Sequence, residues 1–297
     1  MWWSRHRVPI SRDRVPFTRG ILQSADPQDW RSHRFGLSGR RWDSLAGRSF
    51  WITGAGTGFG RCIALALAAA GARTFITGRR RAKLKETLAE GLALGVNVEH
   101  CLPVPCDIRS QAELANAIRV IAEHAGALSG LVNGAALAQP DAGPRPLADL
   151  DAGQWSELIQ TNVTAQWLVT RAALPLLTSK QGARVVFVSS DAGWADTPGF
   201  GPYNVSKSAL NTLGISFAAE CKTSFPEHDM QVNVLVPGEA RTEMNQESVI
   251  SPYAVVSMAL ALLSHPPHGP NGHCFHRDGR HLAFANSHSY IGDLLNP

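Results

Sequence analysis

Short apolar runs alternate along the chain, from residue 48 to residue 236, with longer segments in which apolar residues recur every three or four positions. The short runs are rich in β-branched and aromatic residues and predict strands, whereas the longer segments predict helices. In 81–94, for example, Leu84, Leu88 and Leu92 recur at a spacing of four. The predicted strands cover 49–53, 73–77, 101–105, 128–133, 183–189 and 231–236, and the predicted helices cover 61–70, 81–94, 111–124, 154–177 and 203–223.

The lengths of the helices determine how the strands can be arranged. Strands separated by helices of this length need crossover connections, so neighbouring strands should run parallel. Two runs, 128–132 and 185–188, are apolar almost without interruption, which is typical of strands buried on both faces. We therefore expect an α/β fold: a single doubly wound Rossmann-type domain with a parallel sheet flanked by helices. The helix over 154–177 is expected to kink or end near Pro175.

This pattern divides the chain into a basic N-terminal extension over 1–46, the Rossmann-type domain over 47–285 and a C-terminal tail over 286–297. The first 48 residues contain ten arginines and four aspartates, and three prolines interrupt any long helix there. We expect the extension to be disordered. Three interpretations of it remain open: an organellar transit segment, an arm that binds nucleic acid or a partner, and a misassigned start of the chain.

The overall composition argues against several classes of protein. The net charge of +4 gives no reason to expect a nucleic-acid partner, and no apolar run reaches the ~18 residues that span a membrane. Five cysteines without a CxxC spacing indicate free thiols in a reducing compartment, so we expect a cytoplasmic protein. Six histidines lie between His265 and His288, but their spacing matches no zinc motif, and we expect no metal.

Glycines cluster between the first predicted strand and the first predicted helix, in the segment Thr53-Gly54-Ala55-Gly56-Thr57-Gly58-Phe59-Gly60. Glycines let the backbone turn sharply and approach a pyrophosphate closely. The helix that follows directs its positive N-terminal end at the phosphates. In this strand–turn–helix context the cluster predicts a dinucleotide site.

The end of the second predicted strand indicates which dinucleotide binds. An acidic residue at this place would hold the adenosine ribose and favour NAD. The chain has Ile76-Thr77-Gly78-Arg79-Arg80 instead, and a guanidinium such as that of Arg79 suits a 2′-phosphate. We therefore expect NADP(H), with NAD(H) as the alternative.

A tyrosine and a lysine stand four residues apart in the last predicted helix, in the segment Tyr203-Asn204-Val205-Ser206-Lys207. This spacing places Tyr203 and Lys207 on one helix face. Because an ammonium group stabilises a phenolate, we expect Lys207 to lower the pKa of Tyr203 towards neutral pH. Such a tyrosine can exchange a proton with a substrate.

With these motifs, the region from Leu45 to Ala285 resembles the short-chain dehydrogenase/reductase family. The glycine cluster is similar to the family's TGxxxGxG turn, and Ser190 lies 13 residues before Tyr203, the family's separation for its catalytic serine. Three further segments resemble family motifs in the right order, namely Cys106-Asp107-Ile108, Thr161-Asn162-Val163 and Pro237-Gly238-Glu239-Ala240-Arg241-Thr242. One motif departs, because the family's NNAG is here Asn133-Gly134-Ala135-Ala136.

The resemblance implies an oxidoreductase that interconverts a ketone or aldehyde and an alcohol by hydride transfer. It implies that Tyr203 is the general acid or base, that Ser190 binds the substrate oxygen, and that Lys207 binds the nicotinamide ribose. Asn162 would hold a water molecule of a proton relay. The residues expected to contact the cofactor are Gly54, Thr57, Gly58, Phe59, Gly60, Arg79, Asp107, Ile108, Asn133, Ala135, Tyr203, Lys207, Pro237, Gly238 and Thr242.

The substrate side carries weaker signals. Trp194 and Phe200 lie between Ser190 and Tyr203, and we expect them to line the pocket with Glu239, Arg241 and Met244 opposite. The segment after Thr242 is short for the family, which predicts an open site, a bulky substrate, or closure by a partner subunit or the extension.

We expect a small carbonyl or alcohol substrate, assembly as a homodimer or homotetramer, and no nucleic-acid or membrane partner. A non-catalytic dinucleotide-sensing or scaffold protein on the same fold is the alternative.

Overall fold

Eight strands form one sheet in the computed structural model, which describes residues 30, 32–138, 144, 146–194 and 199–282. They are β1 (Ser49–Thr53), β2 (Arg73–Thr77), β3 (Cys101–Pro103), β4 (Gly130–Asn133), β5 (Ala183–Val188), β6 (Met230–Val236), β7 (Cys274–His276) and β8 (His281–Leu282). Their order in the sheet is β3-β2-β1-β4-β5-β6-β7-β8. Within the described residues the neighbouring strands pair in parallel, except for the antiparallel pair of β7 and β8. The expected doubly wound α/β sheet is confirmed.

Helices cover both faces of the sheet, and all of them except the first lie between strands. They are α1 (Gly39–Asp43), α2 (Gly58–Ala69), α3 (Arg81–Ala93), α4 (Gln111–Ala125), α5 (Ala152–Ile159), α6 (Ala165–Leu177), α7 (Gly201–Ser224) and α8 (Val256–Leu263). A π-helical turn, Gln160–Thr164, joins α5 to α6. Short 3₁₀ turns cover Arg34–Gly36, Leu147–Asp149, Asp191–Gly193 and Pro252–Val255.

Side chains on alternate positions of a strand enter two separate cores, one on each face of the sheet. Along β1, Phe50 and Ile52 pack in the core that α2 and α8 cover, whereas Trp51 packs in the core that α4, α6 and α7 cover. All residues of β1, β4, β5 and β6 are buried. This double coverage explains why the central strands read as nearly continuous apolar runs.

The N-terminal extension is not a free arm in its described part, so the expectation of disorder over 1–46 is wrong for residues 30 and 32–46. Trp30, Phe35, Trp42 and Leu45 are all buried in the core that α2 and α8 cover. Three of these residues are large aromatic side chains, whose burial outweighs the local surplus of arginines. Residues 1–29 lie outside the described residues.

Three further details differ from the sequence-based prediction. The helix over 154–177 has its irregularity at the π-helical turn Gln160–Thr164, and α6 continues past Pro175 to Leu177. Helix α2 begins at Gly58 rather than at Arg61, because the glycine turn itself enters the helix. Strand β8 and its antiparallel pairing with β7 were not predicted. The predicted tail over 286–297 lies outside the described residues.

No helix within the described ranges is long and apolar enough to cross a membrane.

Candidate active site

Most of the candidate residues lie at one edge of the sheet, where the parallel strands have their carboxyl ends. The glycine turn follows β1, Asn133 ends β4, Ser190 follows β5, and Pro237 follows β6. The strand order reverses at the junction of β1 and β4, because β2 and β3 extend the sheet beyond β1 and the later strands extend it beyond β4. In open α/β sheets, ligands bind at such a switch point, outside the carboxyl ends of the strands.

The glycine turn is packed so closely that its glycines cannot be replaced without displacement. Gly54 has φ +69°, and a Cβ atom there would lie 2.6 Å from the backbone nitrogen of Ala135. A Cβ atom on Gly60 would lie 2.5 Å from the Gly54 carbonyl oxygen. Thr57 caps α2 without a side-chain hydrogen bond to the helix. The backbone therefore offers a tight cradle at the first turn of α2.

Thr53 joins this turn to the segment after β4. Its Oγ1 accepts hydrogen bonds from the backbone nitrogens of Gly134, at 3.1 Å, and Ala135, at 3.2 Å. A Cβ atom on Gly134 would lie 2.8 Å from the Thr53 carbonyl oxygen. The departure from the family's NNAG motif therefore has a local structural reason, since glycine permits this close approach.

Tyr203, Lys207 and Ser190 lie close together. Tyr203 lies in the first turn of α7, and the Lys207 Nζ atom lies 5.7 Å from the centre of its ring. Ser190 forms a side-chain hydrogen bond with the Tyr203 phenol, and its Oγ accepts from the backbone nitrogen of Ala192 at 3.2 Å. The turn after Ser190 rests directly on α7, where the Ser208 Oγ donates to the Gly193 carbonyl at 2.8 Å.

The protonation of this pair differs from the expectation. Burial raises the pKa of Tyr203, and the hydrogen bond from Ser190 opposes this shift only in part. Lys207 is 2% exposed, and burial lowers its pKa to about 8. Its Nζ donates to the Val188 carbonyl at 3.0 Å. The expected lowering of the Tyr203 pKa is therefore wrong in direction, because burial disfavours the charged phenolate.

Asn162 lies in the π-helical turn and is fully buried. Its side chain forms two hydrogen bonds with the backbone of Leu137, accepting from the nitrogen at 2.7 Å and donating to the oxygen at 3.0 Å. Its Nδ2 also donates to the Ser206 Oγ at 3.1 Å. Asn162 thus joins the segment after β4 to α7, one residue before Lys207.

The adenosine end of the predicted cofactor site gathers Arg79, Asp107 and Ile108 around the ends of β2 and β3. Arg79 is exposed, and its charge contributes to the lowered pKa of Asp107. The larger cause is Arg109, whose Nη2 lies 2.7 Å from the Asp107 Oδ2. Ile108 is buried. Arg80 is engaged elsewhere, since its Nη2 lies 2.5 Å from the Glu243 Oε2.

The segment after β6 packs against the glycine turn. Gly238 has φ +65°, and the Thr242 Cγ2 lies 3.2 Å from the place of a Gly58 Cβ atom. Arg277, which the sequence did not single out, donates from Nη1 to the carbonyls of Pro237, at 3.1 Å, and Glu239, at 2.6 Å. Its position directly after β7, beside the end of β6, was not predictable without knowing the strand order.

The residues expected to line the substrate pocket differ in burial and belong to separate segments of the chain. Trp194 is half-buried and packs against the core that α4, α6 and α7 cover. Phe200 directly precedes α7 and is half-buried, whereas Glu239, Arg241 and Met244 are exposed. The short segment after β6 closes on itself, because the Arg241 nitrogen donates to the Ile250 carbonyl at 2.7 Å.

Two observations test whether the site fits a dinucleotide. The turn has no room for a side chain at Gly54 or Gly60, so its backbone lies bare and tightly folded at the N-terminus of α2, as a pyrophosphate site requires. Asn133 is 1% exposed; its Nδ2 donates to the Thr170 Oγ1 at 2.9 Å, but its Oδ1 has no hydrogen-bond partner among the described residues. A buried acceptor without a partner is costly and suits a ligand donor. Both features fit a dinucleotide that lies across the carboxyl edge.

The described part of the chain contains no group of three or more histidine, cysteine, aspartate or glutamate side chains that could hold a metal ion.

Comparisons with known proteins agree with this arrangement. A family model described as short chain dehydrogenase matches residues 49–251. Dehydrogenase/reductase SDR family member 4 of Rattus norvegicus is 31% identical over 227 residues, which cover 76% of this chain and 78% of that protein.

Solved structures share the fold. A short chain dehydrogenase from Pseudomonas syringae superposes with a TM-score of 0.71 at 28% identity, covering 79% of this chain and 96% of that one. A short chain dehydrogenase from Escherichia coli CFT073, complexed with NADPH, has a TM-score of 0.70 at 26% identity and covers 80% of this chain and 98% of that one. The matched family region spans most of the sheet and the motifs around Ser190 and Tyr203, and the chain therefore belongs to the short chain dehydrogenase family of oxidoreductases.

Proposed function

We propose that this protein is an NADP(H)-dependent oxidoreductase that interconverts a ketone or aldehyde and an alcohol, with Tyr203 as the proton donor and acceptor. The observation that carries the proposal is the grouping of Ser190, Tyr203 and Lys207 beside the glycine turn, at the carboxyl edge of the sheet. A nicotinamide bound at this edge supplies or accepts the hydride.

The hydroxyl groups of Tyr203 and Ser190 converge on one place, where a substrate oxygen would sit. Because burial raises the pKa of Tyr203, its phenol is protonated at neutral pH. This is the form that donates a proton to a carbonyl oxygen as it gains negative charge. Ser190 would donate a second hydrogen bond to the same oxygen and so hold it in place.

Lys207 and Asn162 would act behind the tyrosine. The Lys207 ammonium is buried, 3.0 Å from the Val188 carbonyl and 5.7 Å from the centre of the Tyr203 ring. A ribose hydroxyl beside Lys207 would accept a hydrogen bond from the ammonium in competition with the Val188 carbonyl. The ammonium charge would then lie closer to the Tyr203 phenol. Asn162, through Ser206, would keep the first turns of α7 in register with the segment after β4.

The preference for NADP(H) rests on the adenosine end. No carboxylate follows β2 within the sequence Thr77-Gly78-Arg79-Arg80, and Arg79 is exposed there. A guanidinium can donate two hydrogen bonds to a 2′-phosphate. The similar dehydrogenase from Escherichia coli CFT073 is complexed with NADPH, which supports the same choice for this chain.

Titration of the purified protein with NADPH and with NADH, followed by nicotinamide fluorescence, tests the proposal. Clearly tighter binding of NADPH is expected, together with NADPH-dependent reduction of one or more carbonyl compounds in a screen. Equal or tighter binding of NADH would contradict the cofactor preference alone. Binding of neither cofactor would contradict the oxidoreductase function and favour a scaffold role.

Assembly through α6 and α7 is part of the proposal. Trp167 on α6 is 38% exposed, and Val205 and Ile215 on α7 are 44% and 39% exposed. Apolar side chains of this size on neighbouring helices suit a subunit contact. Light scattering coupled to size-exclusion chromatography is expected to give the mass of a dimer or tetramer, and a monomer mass would contradict this part.

A further inference from the structure

Two carbonyl groups of the glycine turn are held from outside the turn. The Thr87 Oγ1 donates to the Ala55 carbonyl at 2.8 Å, and the Arg61 Nη2 donates to the Gly56 carbonyl. Arg61 and Thr87 also contact each other, with the Arg61 Nε donating to the Thr87 Oγ1 at 3.1 Å. The orientation of the turn's peptide groups therefore depends on how Arg61 is held.

Arg61 is held by Glu90, in the last turn of α3. The Arg61 Nη1 lies 2.8 Å from the Glu90 Oε2, and the Arg61 side chain is 18% exposed. The other carboxylate oxygen is occupied as well, because the Tyr253 hydroxyl donates to the Glu90 Oε1 at 3.1 Å. Glu90 thus joins two groups that are remote from each other in sequence.

Tyr253 is protonated at neutral pH and can only donate to this carboxylate. Burial raises the pKa of its phenol, and the nearby Cys62 and Glu90 side chains raise it further. Tyr253 lies in the 3₁₀ turn before α8, directly after the loop that closes at Ile250. Its contact with Glu90 therefore also fixes the end of that loop beside the cofactor cleft.

The N-terminal extension packs on the opposite side of Tyr253. The ring centres of Trp30 and Tyr253 are 5.2 Å apart, and those of Trp30 and Phe35 are 5.5 Å apart. The extension is fastened to α8 at two further points. The Ser257 Oγ donates to the Phe35 carbonyl at 2.8 Å, and the Arg41 Nη2 donates to the Ala261 carbonyl.

These contacts form one continuous path from Trp30 through Tyr253, Glu90 and Arg61 to the Gly56 carbonyl. We propose that Glu90 and Tyr253 are positioning residues for the dinucleotide-binding turn, and that the extension braces them. The proposal rests on the proposed function, since it concerns the binding of NADP(H). According to this proposal, the extension supports cofactor binding within its own chain. This role requires neither a nucleic acid nor a second protein.

The path predicts a specific effect on affinity. Backbone amides bind a pyrophosphate well only when the turn is held in one orientation before the ligand arrives. Loss of one partly buried hydrogen bond in the path should weaken NADPH binding by about three- to tenfold. The turnover number with saturating NADPH should change by less than about twofold, because the path does not touch Tyr203 or Ser190.

The test compares Tyr253→Phe and Glu90→Gln with the wild-type chain. Phenylalanine keeps the ring against Trp30 but removes the hydroxyl, and glutamine keeps the shape of Glu90 but removes its charge. Glu123→Gln is the matched control, because Glu123 forms a similar ion pair with Arg119, at 2.5 Å, on the surface of α4. A second pair, Trp30→Ala and Trp30→Phe, tests whether an aromatic ring at position 30 restores what alanine loses.

Three readouts are measured: the dissociation constant for NADPH, the KM for NADPH against kcat, and amide hydrogen exchange of residues 53–60 without cofactor. The expected result is weaker binding, a raised KM at nearly constant kcat and faster exchange in Tyr253→Phe, Glu90→Gln and Trp30→Ala, with Trp30→Phe and Glu123→Gln close to wild type. Unchanged dissociation constants and exchange in Tyr253→Phe and Glu90→Gln would overturn the inference. If the wild-type chain binds neither NADPH nor NADH, it is the proposed function that fails.

Discussion

The Lys207 ammonium lies 5.7 Å from the centre of the Tyr203 ring and donates a hydrogen bond to the Val188 carbonyl at 3.0 Å. The lysine is therefore held between β5 and α7 rather than at the phenolic oxygen. Tyr203 can be altered at that oxygen without disturbing the contact that fixes Lys207.

Tyr203→Phe is expected to reduce carbonyl reduction by about 100-fold or more, because the proton donor is lost. The dissociation constant for NADPH should stay within about twofold of wild type, since the ring that packs beside Lys207 is kept. Steady-state kinetics and fluorescence titration measure the two quantities. Retention of wild-type kcat in this variant would remove Tyr203 from the mechanism.

Lys207→Met is expected to stabilise the cofactor-free chain at pH 7 by about 2 kcal/mol while abolishing activity. Burial lowers the pKa of Lys207 to about 8, below the ordinary value of ~10.4 for an unfolded chain. Below pH 8 the folded chain bears the full cost of burying a charge. Between pH 8 and ~10.4 the unfolded chain binds the extra proton, so the wild type gains stability as the pH rises.

The difference in unfolding free energy between Lys207→Met and wild type should therefore shrink from pH 7 to pH 9.5. Urea denaturation at both pH values measures it. A difference that is constant or that grows with pH would show that Lys207 is not buried as a charged group.

Arg79→Gln is expected to weaken NADPH binding by about tenfold or more and to leave NADH binding nearly unchanged, because a guanidinium contact to the 2′-phosphate is lost. Arg81→Gln is the control, since Arg81 is also exposed and begins α3. Equal losses for both cofactors in Arg79→Gln would instead indicate a general disturbance of the end of β2.

Gly54→Ala is expected to destabilise the chain by about 2–3 kcal/mol and to prevent cofactor binding. A Cβ atom would lie 2.6 Å from the Ala135 nitrogen, in a backbone with φ +69°. Gly47→Ala is a matched control, because Gly47 has φ +70° and nothing within 4 Å of a Cβ atom. Thermal unfolding and NADPH titration of both variants separate the clash from the cost of the left-handed backbone; equal losses would disprove the close approach.

Trp42→Ala is expected to destabilise the chain by about 3 kcal/mol, because Trp42 is 6% exposed and packs against Phe35. Arg40→Ala, on the exposed side of the same helix, should change the unfolding free energy by less than about 0.5 kcal/mol. If the two variants are equally stable, residues 32–46 do not belong to the folded domain.

Local patterns were sufficient for strands β1 to β6 and for the motifs at the carboxyl edge of the sheet. The strands read as apolar runs because both faces are covered, and the glycines at 54, 58 and 60 follow a strand as the dinucleotide turn requires. The role of the extension could not be read in this way. The burial of Trp30 and Phe35 depends on an apolar surface that α8 supplies more than 200 residues later in the chain.

The same limit applies to the groups that hold the site. Tyr253 and Glu90 are 163 residues apart, and neither stands in a motif. Arg277 reaches the Pro237 carbonyl only because β7 pairs with β6. The direction of the Tyr203 pKa shift could also not be predicted from the sequence, because it depends on the burial of Tyr203 rather than on its spacing from Lys207.

The family-matched region, residues 49–251, stops before α8 and begins after the extension, although these two parts cover each other and the outer face of α2. A protein trimmed to the matched residues would expose a broad apolar surface of Leu65, Ile63 and their neighbours to solvent. Such a fragment would be prone to precipitate on expression, even though strands β1 to β6 and every recognised motif were complete. For this chain, the residues that match the family are fewer than the residues needed to cover the core.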